Sequence, residues 1–267
     1  MVNIYSLKGE VKGKVNLPEV FKTAYRPDLI QRSVVAEESQ NRQEYSNDAV
    51  AGFKSSADYY GSRRHPFRQT INKGQSRLPR EKPGGGGLGR VRIVPQSKGG
   101  HRSHPPKGKD YAKKINNREY ELALKSAIAA SKEKPLVLGR GHNVEKISEL
   151  PIVVEDSVEK IKRTKDLEET LESLGLKQEI QEIAVKKRSG RSETRSRQTR
   201  KRRRVLLIVS KDDGVVKASA NIPGMEATTV DSLKVSSLAP GTKAGRLTIW
   251  SESAIKSIGE RWTQTKQ

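Results

Sequence analysis

Val205-Leu206-Leu207-Ile208-Val209 is a continuous aliphatic run and the strongest strand signal in the chain. A strand alternates its side chains between two faces, so a strand apolar at every position needs cover on both sides. The run therefore predicts the centre of a parallel sheet with helices above and below it. Downstream, Asp213 to Ala220 reads as a helix, Thr228-Thr229-Val230 and Leu247 to Trp250 as strands, and Glu252 to Ile258 as a closing helix capped by Ser251.

Upstream, Pro151-Ile152-Val153-Val154 reads as another strand of parallel type. Leu167, Leu171 and Leu174 mark a helix that Gly175 ends, as a left-handed C-cap would. Tyr120, Ala123, Leu124, Ala127 and Ile128 repeat at helical spacing and predict a helix from about Arg118 to Lys132, while Leu136-Val137-Leu138 reads as a short buried segment. At the N-terminus, Val2, Ile4 and Leu7 suggest a first strand, with Lys8 to Lys14 a turn region. Pro18-Glu19 then opens one helical turn and Pro27-Asp28 a helix to about Gln40. The expected class is α/β: a small, mostly parallel sheet flanked by helices, with a long extended basic loop inserted. Residues 1–44 and 110–267 form the globular domain, carrying a basic segment at 186–204, and residues 45–109 form the loop.

Charge separates the loop from the body. Gly61 to Lys109 holds 13 Lys or Arg against Glu81 alone, with 10 Gly and 6 of the 12 Pro. Lys186 to Arg204 holds 11 Lys or Arg against Glu193 alone. The two segments carry +12 and +10, the whole of the formal +22, so the remaining body is neutral. The first segment has too little apolar surface to offset its ordering entropy, and an anion must order it. Spaced cations track a phosphate chain and point to a polyanionic partner. In the first segment the candidate contacts are Arg63, Arg64, Arg68, Lys73, Arg77, Arg80, Lys82, Arg90, Arg92, Lys98, Arg102 and Lys107, twelve of the thirteen, joined by His101. In the second they are Lys186, Lys187, Arg188, Arg191, Arg195, Arg197, Arg200, Lys201, Arg202, Arg203 and Arg204. Tyr45, Phe53, Tyr59, Tyr60 and Phe67 stand among Ser, Asn, Arg and Gly, where an aromatic ring can stack on a base or anchor the loop's root.

Other chemistry is thinly represented. Gly84, Gly86 and Gly89 spell GxGxxG, but Pro79 and Pro83 precede the run and Val91 to Pro95 follows it, so the strand-then-helix setting of a dinucleotide cradle is missing. There is no Cys, and His65, His101 and His104 lie among cations with no acids nearby to complete a metal site. Glu155 and Asp156 end a strand, where an α/β enzyme can place catalytic acids, although capping of a following helix is the commoner use. No Ser-His-Asp or other catalytic set is present. The expectations are no metal, no cofactor, no small-molecule substrate and no membrane partner, in an intracellular, soluble chain. Two other classes stay open on the residues alone: an RNA-modifying enzyme with an α/β cofactor-binding body, and a free regulatory RNA-binding protein.

Several stretches taken in order resemble the archaeal and eukaryotic form of the ribosomal large-subunit protein four family. They are Val20-Phe21 with Arg26-Pro27-Asp28-Leu29-Ile30, Ala51-Gly52, the glycine-rich tip leading to Arg90 and Val94-Pro95, Gly99-Gly100-His101-Arg102 with His104-Pro105-Pro106-Lys107, and Ile115-Asn116 through Glu119-Tyr120 into Leu122-Ala123-Leu124. The short chain, without a long C-terminal extension, is similar to the archaeal members. At Ser189-Gly190-Arg191-Ser192-Glu193-Thr194 it departs from the more glycine-rich pattern of similar proteins. The resemblance implies a non-enzymatic, cytoplasmic constituent of the large ribosomal subunit that binds large-subunit rRNA, supports assembly and touches neighbouring ribosomal proteins. It also implies that the loop reaches the nascent-peptide exit tunnel and meets the nascent polypeptide there. Arg77, Arg80, Lys82, Gly84, Gly85, Gly86, Gly87 and Arg90 would then lie nearest the tunnel.

Overall fold

The computed structural model describes residues 1–59, 70–81, 87, 89–144, 147–181, 186–200 and 202–263. In chain order the elements are β1 (Val2–Tyr5), β2 (Val11–Val15), α1 (Pro27–Gln40), α2 (Asn117–Ala130), α3 (Lys134–Gly139), β3 (Ile152–Val154), α4 (Thr164–Ser173) and α5 (Lys177–Gln181). There follow β4 (Lys186–Lys187), α6 (Arg191–Thr194), β5 (Thr199–Arg200), β6 (Leu206–Val209), α7 (Val215–Ala220), β7 (Glu226–Thr229), α8 (Val235–Leu238), β8 (Thr248–Ser251) and α9 (Glu252–Thr263). Contacts divide the chain into two units, Met1–Asn41 with Ala112–Gln267, and Arg42–Tyr111.

The first unit is built on a six-stranded sheet in the order β2-β1-β3-β8-β6-β7. Five strands run parallel and β2 pairs antiparallel with β1 at the edge. The aliphatic run at 205–209 forms β6 as expected, but β3 and β8 make the middle of the sheet and β6 lies one strand in from the β7 edge. Burial alone does not mark the centre, because β3, β6 and β8 are each buried at every position.

Alternation sorts these side chains onto two cores. Ile4, Val153, Leu206, Ile208 and Trp250 pack with Ile30 and Val34 of α1, Leu124 and Ile128 of α2, and Ile255 and Ile258 of α9. Ile152, Val154, Leu207, Val209 and Ile249 pack on the other side with Val137 of α3, Leu167 and Leu171 of α4, and Val215 of α7. Helices thus cover both faces, which is why the strands read as solid apolar runs. One carboxylate ties three helices together: Glu37 of α1 accepts from the Tyr120 hydroxyl of α2 at 2.6 Å and from the backbone N–H groups of Val235 and Ser236 in α8, each at 3.0 Å. Burial, and then the bond to Glu37, pushes the Tyr120 phenol well above its ordinary range.

Two local expectations change. Lys8 to Lys14 is only partly a turn: Gly9 N–H donates to Ser6, Ser6 N–H to Glu10, and the chain then enters β2. That edge strand has an exposed Val11 and a central Gly13, so it pairs mainly through its backbone and only Val15 packs against the core. Leu136-Val137-Leu138 is part of helix α3, with Val137 buried and Leu138 exposed. Pro135 at its first turn is a helix start.

Candidate nucleic-acid interface

Among the described residues of the second unit, Arg42–Tyr111, no helix or strand forms. Its order comes from isolated bridges and turns. Asp58 pairs with Arg80 and Arg80 with Val91, each as a single antiparallel bridge, so the arm expected at Arg90 to Pro95 is strand-like only at Val91. Ile93 turns the chain with φ +74°, and His101 N–H returns to its carbonyl at 3.2 Å. The His101 ring binds the same carbonyl through Nδ1 and stacks on Phe53, with centroids 4.6 Å apart. Gly52 and Gly100 permit this closure. A Cβ on Gly52, at φ +84°, would come 2.4 Å from His101 Cα, and one on Gly100 would come 1.9 Å from the Val94 carbonyl oxygen. At the ends of the unit, the Tyr45 and Tyr111 rings lie nearly parallel at 5.7 Å, and the Arg42 guanidinium sits 4.1 Å from the centre of Tyr111.

The cations here have two different uses. Arg80 donates to the Gly89 carbonyl at 3.3 Å and to Ser76 Oγ at 2.8 Å, while Arg92 donates to Glu81 Oε1 and to the Lys98 carbonyl, both at 2.7 Å. Arg80, Arg92 and His101 therefore brace the unit from within. Lys73, Arg77, Arg90, Lys98, Arg102 and Lys107 are exposed. Arg63, Arg64, Arg68, Lys82, Gly84, Gly85 and Gly86 lie outside the described residues, as do Tyr60, His65 and Phe67.

In the first unit, residues 186–204 form a small hairpin. Lys186 pairs with Arg200 and Lys187 with Thr199, and Arg188 N–H donates to the Gln198 carbonyl at 2.7 Å. Gly190, at φ +67°, turns the chain into α6, whose Thr194 and Arg195 return bonds to Gly190 and Arg191. The residues that depart from a glycine-rich pattern thus make one helical turn at the hairpin's end. Lys187, Arg191, Arg195, Arg197, Arg202 and Arg203 are exposed, Arg188 is half-buried, and Lys201 lies outside the described residues.

Arg204 is used differently. Its Nη1 donates to both oxygens of Glu179, at 3.1 and 3.0 Å, and its side chain is only 16% exposed. Glu179 is 1% exposed and also accepts from His142 Nδ1 at 3.0 Å and from the Asn143 backbone N–H. His142 Nε2 accepts from Leu247 N–H at 3.3 Å, so the ring is held with its proton on Nδ1. Burial pushes the Glu179 carboxyl up, but the bonds from His142, Asn143 and Arg204 outweigh it and leave the group below its ordinary range. Sequence reading missed Glu179, because a lone acid in a short polar helix carries no signal of burial.

The carboxyl ends of the parallel strands, where α/β proteins commonly bind ligands, hold an internal network instead. Glu159 Oε1 accepts from Ser210 N–H at 2.8 Å, Ser251 Oγ at 2.7 Å and Ser253 Oγ at 2.9 Å. Asp156 accepts from Ser253 N–H at 2.7 Å and so caps α9, alongside Ser251, which accepts from Ala254 N–H at 3.2 Å. Glu155 pairs with Lys12, whose ammonium holds it below the ordinary carboxylate range. Among the described residues no group of three or more His, Cys, Asp or Glu could hold a metal, and no helix is long and apolar enough to cross a membrane.

The profile of the Ribosomal protein L4/L1 family matches residues 15–261, almost the whole chain. The chain belongs to the Ribosomal protein L4/L1 family. Similar curated members of the family are named large ribosomal subunit protein uL4. The one from Archaeoglobus fulgidus is 43% identical over 260 residues, covering 96% of this chain and 97% of its own. Those from Methanosphaera stadtmanae and Haloquadratum walsbyi are 36% and 39% identical, covering 99% and 97% of this chain and 98% of each relative. The family match thus takes in both basic segments and strands β3, β6, β7 and β8 of the sheet.

Proposed function

We propose that this chain is a structural constituent of the large ribosomal subunit, where it binds large-subunit rRNA, contacts neighbouring ribosomal proteins and supports assembly in the cytoplasm. The observation that carries this is the family match over residues 15–261, with relatives covered over nearly their whole length. The charge map supports it, since the entire net charge sits in two segments suited to phosphate. The work is architectural, not catalytic.

The finer reading assigns the contacts. Exposed cations of the second unit and of the 186–204 hairpin neutralise rRNA phosphates. Residues 45–109 thread between RNA helices as an extended loop, with the glycines allowing close backbone passage. Arg77, Arg80, Lys82, Gly84 to Gly87 and Arg90 border the nascent-peptide exit tunnel, so the growing polypeptide passes beside them.

RNA crosslinking with peptide-level readout tests this on large subunits and on soluble fractions from the same cells. Crosslinks from residues 61–109 and 186–204 to large-subunit rRNA, absent from soluble protein, are expected. A chain that sediments free of ribosomes and crosslinks to transient RNAs would overturn the reading.

A further inference from the structure

Glu179 and Arg204 stand on either side of the second basic segment in sequence, and these two residues bind each other. Between them lie 24 residues. The hairpin they enclose is poorly suited to hold itself together. Its described ladder is two residue pairs long, and one pair sets Lys186 directly opposite Arg200. With 11 Lys or Arg against one acid in residues 186–204, the segment as a whole carries strong self-repulsion. Two paired residues on each side are also far short of what an isolated hairpin needs.

The neck, in contrast, is heavily determined. One buried carboxylate gathers Arg204, His142 and the Asn143 N–H. Arg204 is fixed by its backbone as well: its N–H donates to the Gly224 carbonyl at 2.8 Å, and its carbonyl accepts from Arg246 Nε at 3.0 Å. A buried ion pair is costly to desolvate and is weak evidence for stability alone. Its position at both ends of a self-repelling segment gives it another role.

We propose that Glu179 is a positioning residue for rRNA binding: with Arg204 and His142 it clasps the neck of the 186–204 hairpin, so that the hairpin's cations reach phosphate already gathered. This rests on the rRNA-binding reading above. Closing the neck in advance removes ordering entropy that binding would otherwise have to supply. The clasp does not itself meet RNA, so its loss weakens binding without changing how many phosphates are neutralised.

The chain has no cysteine, which makes a direct test possible. The full-length E179C/R204C variant is compared before and after bridging the two thiols with a short bis-maleimide, using a large-subunit rRNA transcript as the probe. Both forms lack the ion pair and keep the backbone bonds of residue 204, and they differ in whether positions 179 and 204 are joined. The open form is expected to bind roughly fivefold or more weakly than wild type at an unchanged salt slope, and bridging restores most of the loss. Equal affinity of all three forms, or a loss that bridging does not repair, overturns the proposal.

Glu179→Gln in the full chain gives a second readout that needs no crosslinker. Amide exchange at 186–188 and 198–200 is expected to speed up while exchange in β3 and β8 stays slow; unchanged protection in the hairpin overturns the clasp. A wild-type chain that fails to bind the rRNA sinks the functional reading instead, and the exchange comparison then still decides whether the clasp exists.

Discussion

The fully buried guanidinium of Arg246 places Nη1 2.7 Å from Oε2 of Glu226, joining the approach to β8, two residues before the strand, to the first residue of β7. The same side chain donates to the carbonyls of Arg204 and Val205, both at 3.0 Å, and to that of Ser237 at 2.6 Å. One arginine therefore fastens the starts of β6, β7 and β8. Burial pulls its pKa below the ordinary arginine value and Glu226 pushes back. Arg246→Met should cost about 3–5 kcal/mol, because it removes four hydrogen bonds, to three carbonyls and a carboxylate, from a buried site. Glu226→Gln should cost less, since the Gln carbonyl oxygen can still accept from Arg246 Nη1 and the side chain is 30% exposed. Urea unfolding of the two variants measures the difference.

Gly52→Ala should loosen the second unit and leave the sheet intact. The added methyl would meet His101 backbone at a residue already in the left-handed region, and His101 would lose its seat on Phe53. The expected result is faster amide exchange at residues 50–53 and 93–101, with β3, β6 and β8 unchanged. Loss of protection throughout the sheet would show that Gly52 has a wider role.

Acid should find Glu179. Its folded-state pKa lies below the unfolded carboxylate value, so its stabilising contribution is complete above about pH 4.3 and is lost as pH falls through the folded value. Wild type and Glu179→Gln should thus differ most in stability near neutrality and converge in acid. Urea midpoints recorded from pH 7 down to pH 3 would reveal this, and a gap that widens in acid would contradict it.

Exposed and inward-turned arginines should separate in salt titrations. Replacing Arg191, Arg195 and Arg197 together by Gln removes up to three phosphate contacts and should flatten the plot of log affinity against log salt by about 2–3. Arg92→Gln removes a brace to Glu81 and Lys98, so its main effect should be on exchange within the second unit. Filter binding to an rRNA transcript across a salt series gives both slopes.

The α/β architecture was legible because its strands are buried on both faces and so declare themselves as apolar runs. Helix starts were legible where proline fixes φ, as at Pro27, and Gly175 marked the end of α4. Edge strand β2 was not, because a strand held by backbone pairing can have Lys-Gly-Lys at its middle. Charge sign located the cationic segments, but charge alone could not divide arginines that face outward from those that brace the fold. Arg80 and Arg92 acquire their partners, 4 to 11 residues away, only once irregular turns fold them back, and Arg204 only once Glu179 and Gly224 are folded beside it. The acids that matter most, Glu37, Glu159 and Glu179, look in sequence like any solvated helix carboxylate.

The strand inserted between β3 and β6 is β8, the last to be synthesised. Neither half of the sheet can meet the other until residues 248–251 have arrived, so the core closes only when the chain is nearly complete. Both basic segments precede β8 in the chain, so the cations are synthesised before the two halves of the sheet can join.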